Sequence, residues 1–139
     1  MREKFTLGKE ERLKSRKQIE NLFDKGKSFV VAPFRIYFIL NSELPIQKGE
    51  NGLKFGAGVS AKNFKKAVDR NRIKRLTREA WRLQKNEISK KAKETQRQLN
   101  VFFIYTGKAL PDFIIVKDKV AIALKRLADK IDENISSHP

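Results

Sequence analysis

Cysteine is absent from the 139 residues, which excludes disulfides and thiolate metal sites. Histidine is nearly absent. The single His138 lies one residue from the last position, so no Ser–His or Cys–His set exists for nucleophilic catalysis. No spaced acidic cluster offers itself to a metal. No run approaches the ~18 apolar residues of a membrane span. The opening, MREKFTLGKEERLKSRK, lacks the apolar core of a signal peptide, so the default expectation is a cytoplasmic protein. Acid is the scarce charge: 16 Asp and Glu stand against 32 Lys and Arg, a net of +16.

What is present supports one packed domain. Forty per cent of residues are hydrophobic and ten are Phe, enough for a single core. We expect one domain over 1–139, with a core of about 12–131 and flexible ends. A net charge of +16 exceeds what solubility needs. A field of that size recruits polyanions, either nucleic acid or an anionic membrane.

Ser15 and Gln18 form an S-x-x-Q capping box, and Ile19, Leu22 and Phe23 follow on one face. These predict a helix over about 16–25, stopped by Gly26. Pro33 divides the next apolar run into short strands near 28–32 and 34–40. In the second, Phe34, Ile36, Phe38 and Leu40 share one face, while Arg35 and Tyr37 stand together on the other. NSELPIQKGENG reads as a loop. In the third strand, LKFGAGVS, Gly56 and Gly58 leave one side open to close approach. A long basic helix follows, from Asn63 or Lys66 to about Lys90. LNVFFIYT is apolar on both faces, as a central or parallel strand is. Val116, Val120, Leu124, Leu127 and Ile131 mark a last helix. The fold class is α+β, order αβββαβα, with a mixed four-stranded sheet packed by helices. Third strand, helix and fourth strand form a βαβ unit, whose crossover is generally right-handed.

From Lys62 to Arg97 there are fourteen basic and four acidic residues, a net of +10. At about 100° per residue, Ile73, Leu76, Ala80, Trp81 and Leu83 fall in one arc. Asn71, Lys74, Arg75, Arg78, Arg82 and Lys85 fall in the opposite one. Arg can hold a phosphate through two parallel hydrogen bonds. Like charges at i,i+3 and i,i+4, such as Arg75 with Arg78, cost roughly 0.2–0.5 kcal/mol per pair. Such a face is either merely solvated or built to grip an acidic polymer. The charge excess, the Arg bias and the neighbouring aromatic strand favour the second. Tyr37 beside Arg35 is a candidate for stacking on unpaired bases, and Phe23 divides between stacking and core packing.

Three other readings fare worse. Gly56–Ala61 matches G-x-G-x-x-A, but its glycines alternate as strand residues do and the required turn is missing. A membrane-surface helix needs the apolar face that here must cover the sheet. A hydrolase lacks side chains for the chemistry.

The run AVDRNRIKRLTREAWR (Ala67 to Arg82) resembles the signature of the bacterial ribonuclease P protein subunit. The matching positions are Ala67, Val68, Arg70, Asn71, Arg72, Lys74, Arg75, Arg78 and Glu79. RLKS…FDKGKS, and FRIYFIL before FGAGVSAK, extend the likeness to about 12–131. The resemblance implies a protein that binds a catalytic RNA and the 5′ leader of precursor tRNA. The RNA cleaves the leader using Mg²⁺, and the protein itself binds no cofactor or metal and supplies no catalytic residue. It implies a fold like the second domain of a small-subunit ribosomal protein, with a left-handed crossover. By position, the leader cleft would comprise Phe23, Arg35, Tyr37, Asn71, Lys74 and Arg78. Lys62, Lys65, Lys66, Arg70, Arg72, Arg75 and Arg82 would face the catalytic RNA, or in the case of Arg70, Arg72 and Arg75 stabilise the motif. Ile19 stands where some members carry an aromatic. A non-catalytic RNA-binding or ribosome-associated protein of similar fold is the alternative.

Overall fold

The computed structural model describes residues 12–13, 15–45, 52–95 and 97–136. The expectation of flexible ends falls mostly outside them. Helix α1 spans Arg16–Lys25, strands β1, β2 and β3 span Lys27–Val31, Phe34–Pro45 and Leu53–Val59. Helices α2 and α3 span Ala67–Gln84 and Asn86–Thr95, strand β4 spans Arg97–Tyr105, and helix α4 spans Phe113–Ser136. Ser15 caps α1, its hydroxyl accepting from the Gln18 N–H at 3.4 Å. Gly26 caps its end in an extended conformation, its N–H donating to the Leu22 carbonyl at 2.9 Å, and only glycine fits there, because a Cβ would stand 2.3 Å from that carbonyl and 2.9 Å from that of Phe38.

The sheet order is β1-β2-β4-β3. β2 runs antiparallel to β1 and β4, and β3 runs parallel to β4. β2 continues to Pro45, with a register shift after Asn41, into residues the sequence marks as loop. β4 is central, as its apolar run on both faces predicts.

One sheet face carries Phe34, Ile36, Phe38, Phe55, Leu99, Val101 and Phe103, all buried. Against it pack Ile73, Thr77, Ala80 and Trp81 of α2, Ile88 and Ala92 of α3, and Val116, Val120, Ala123, Leu127 and Ile131 of α4. Trp81 stacks flat on Phe55, ring centroids 4.2 Å apart. The other face carries α1, whose Phe23 meets Tyr37 and Phe102. The layers are therefore α1, sheet, and α2–α4.

The single long basic helix of the sequence reading is two helices meeting at Lys85. No Gly or Pro marks the break. The two helices bury different stripes, Ile73–Thr77–Ala80–Trp81 and Ile88–Ala92, and the turn lets both reach the core. Lys85, assigned to the outward arc, is consequently buried. Leu83, assigned inward, sits at the edge of its arc and is exposed. Thr77 takes the inward place, its hydroxyl donating to the Ile73 carbonyl at 2.8 Å.

Chirality gives the hand of the βαβ unit. In β4, the Leu99 N–H donates to Gly52 O and Tyr105 O accepts from the Ser60 N–H. The core-facing residues of β4 thus turn their backbone groups toward β3. An L-residue on an upward strand, side chain toward the viewer, points its N–H and C=O to the right. Viewed from α2, then, β3 lies right of β4. The path from β3 through the helices in front to β4 moves left, which is a left-handed crossover. The general preference is overridden, and the hand implied by the motif resemblance holds.

Candidate nucleic-acid interface

The basic face of α2 borders a groove of about 620 Å³ lined by Arg12, Asn71, Lys74, Arg75, Arg78, Glu79 and Arg82. Helical spacing aligns the six α2 residues on one flank. Arg12 arrives from outside the helix. It pairs in parallel with Phe55, and the Leu13 N–H donates to the Phe55 carbonyl at 2.8 Å, so the chain before α1 extends the sheet beyond β3. Partial burial lowers the Arg78 pKa from its ordinary value, and the Arg12 charge lowers it further. Two guanidinium groups therefore share this end of the groove at an electrostatic cost, which an anion between them would remove.

Glu79 is paired. Arg82 Nε donates to one of its oxygens at 3.1 Å and Nη2 donates to the other. That bonding holds the Glu79 carboxyl below its usual pKa and raises that of Arg82.

The loop before α2 displays Lys62, Lys65 and Lys66, all exposed. It is held by Asn63, whose amide donates to the carbonyls of Thr106 (3.0 Å) and Gly107 (3.3 Å). Arg70 braces the same loop: one nitrogen donates to Phe64 O at 2.9 Å and to Lys65 O at 2.7 Å. Arg70 thus ties this loop to the first turn of α2. Arg72 is exposed.

The aromatic cluster lies on the sheet face opposite the core. Phe23 is 41% exposed and sits edge-on to Tyr37 (4.8 Å) and to Phe102 (5.4 Å). Arg35 is exposed on the same strand face as Tyr37. Phe102 also explains the glycines: a Cβ on Gly56 would lie 2.6 Å from its ring, and one on Gly58 2.8 Å. What closely approaches the glycine side is this chain's own Phe102.

A family model described as Ribonuclease P matches residues 7–128. The chain belongs to the ribonuclease P protein family. It is 37% identical over 127 residues to the ribonuclease P protein component of Porphyromonas gingivalis, covering 91% of this chain and 90% of that one. The corresponding component of Chlorobium phaeobacteroides is 28% identical over 123 residues, covering 84% of each. Among solved structures, the RNase P protein from Thermotoga maritima superposes with a TM-score of 0.62 at 28% identity, covering 84% of this chain and 96% of that one. The Staphylococcus aureus RNase P protein gives 0.64 at 23% identity, with 84% and 94% covered.

The ribonuclease P signature occupies the first four turns of α2, with Lys74, Arg75 and Arg78 lining the groove, Arg70 bonded to the preceding loop and Ile73 in the core. Asn71, Lys74 and Arg78, expected at the leader, share the groove with Arg75 and Arg82, expected at the catalytic RNA. Phe23, Arg35 and Tyr37 form a separate cluster and do not line it. Sequence reasoning missed two of these residues. Arg12 was legible only as part of the RLKS run. Phe102 was signalled by the glycines facing it across the strand.

Proposed function

We propose that this chain, a protein component of ribonuclease P and so a subunit of the ribonucleoprotein that processes tRNA 5′ ends, binds two RNAs, the catalytic RNA subunit and the single-stranded 5′ leader of precursor tRNA, and that catalysis belongs to the RNA. The observation that carries this reading is the groove of Arg12, Asn71, Lys74, Arg75, Arg78 and Arg82 along α2. Guanidinium forks and an ammonium spaced along one helix flank bind successive phosphates without regard to base. The aromatic pair Phe23 and Tyr37 offers ring faces and edges to unstacked bases. Lys62, Lys65, Lys66 and Arg72 extend the cationic surface for the larger RNA.

Mg²⁺ is a cation of oxygen ligands. The groove side chains are cationic, and its one carboxylate is bonded to Arg82. They do not fit a metal site, so the ion is held by RNA phosphates. With these partners, the place of work is the cytoplasm.

The test is cleavage of precursor tRNA by a cognate catalytic RNA at low Mg²⁺. Added protein raises cleavage and binds precursor more tightly than mature tRNA. Equal binding of both with cleavage unchanged would sink the leader reading.

A further inference from the structure

A track for phosphates alone has no use for a carboxylate. Yet Glu79 lines the groove among Arg12, Lys74, Arg75, Arg78 and Arg82. Its geometry is fixed by Arg82, whose Nε and Nη2 donate to its two oxygens. Each oxygen retains a further lone-pair site, and the side chain is 44% exposed. Bonding to Arg82 keeps the group ionised, so near neutral pH it accepts hydrogen bonds and does not donate them. The same pairing offsets its repulsion of nearby phosphates.

We propose that Glu79 reads a base edge: it accepts a hydrogen bond from an exocyclic amino group, cytosine N4 or adenine N6, and so discriminates against uracil. This deepens the reading of the groove as an RNA site and rests on it. Cytosine and uracil differ at that edge by an amino donor against a carbonyl acceptor. A carboxylate bonds the first and opposes the lone pairs of the second. The surrounding cations position the backbone and carry no sequence information. Among the described residues of the groove, Glu79 is the one whose chemistry can only accept from a base.

Equilibrium binding of the full chain to short uridine and cytidine oligomers, at fixed salt, tests this. Cytidine should bind about fivefold more tightly, the lower end of what a base-edge contact supplies. Glu79→Ala should bring the ratio close to one. Glu79→Gln should do so too, because its amide donates to uracil O4 as readily as it accepts from cytosine N4. Arg82→Ala should weaken both oligomers and lower the preference without removing it, because the carboxylate stays in the groove but is no longer held. Circular dichroism checks that each variant is folded. If the wild type binds both oligomers equally, or Glu79→Ala retains the preference, the proposal is wrong while the RNA site stands. If neither oligomer binds in a salt-dependent way, the RNA reading of the groove itself fails.

Discussion

Lys74 and Arg78 line a groove in which the Glu79 carboxylate is already bonded to Arg82. Replacing either with Ala should weaken binding of a long-leader precursor more than that of a leaderless tRNA. Each lost phosphate contact should lower the slope of log affinity against log salt by about 0.7. A titration series in salt measures this, and an unchanged slope would place the residue off the RNA path. Glu79 makes a prediction in pH. Its folded pKa lies below its unfolded one. The stability it adds is therefore present above the unfolded value and is lost as pH falls through the folded one. Thermal melts should show a smaller loss between about pH 7 and about pH 3 for Glu79→Gln than for the wild type. Residue identity was the most legible level for these groups. The 100° wheel put Asn71, Lys74, Arg75, Arg78 and Arg82 on one side, and there they stand. It misplaced Lys85 because a wheel assumes one straight helix, and Leu83 because a position at the edge of an arc depends on what packs there.

At the scale of elements, each strand of the sequence reading is present, with ends shifted by a few residues. The break at Lys85 was not legible: local residues there are ordinary helix formers, and only the need to bury Ile88 and Ala92 demands a turn. The glycine side of β3 was legible as a feature and not as a contact. Gly56→Ala should cost about 1–3 kcal/mol of stability, because the new methyl meets a Phe102 ring held from behind by Phe23. In a double-mutant cycle, Phe102→Leu should recover part of that loss; simple additivity would show that the ring is not the obstacle. Tyr37 tests the same layer from the functional side. Tyr37→Ala should cost roughly 1–3 kcal/mol in leader binding if its ring stacks a base. A lower melting temperature with leader affinity intact would make Tyr37 only a packing partner of Phe23.

At the scale of the whole molecule, one core joins sheet and helices through Trp81, which touches both Phe55 and Phe103 and is fully buried. Trp81→Ala should cost about 3–5 kcal/mol in denaturant unfolding. A loss below about 1 kcal/mol would mean that α2 is held mainly by other contacts. By itself the sequence determined the charge excess, the residue types able to grip phosphate, the order of the strands and the parallel pairing of β3 with β4, because these follow from composition, period and connection length. Tertiary structure decided the left-handed crossover, the break at Lys85, the arrival of Arg12 beside Arg78, and the separation of the aromatic cluster from the cationic groove. Each depends on which faces meet across distant parts of the chain, and periodicity along one segment carries no record of that.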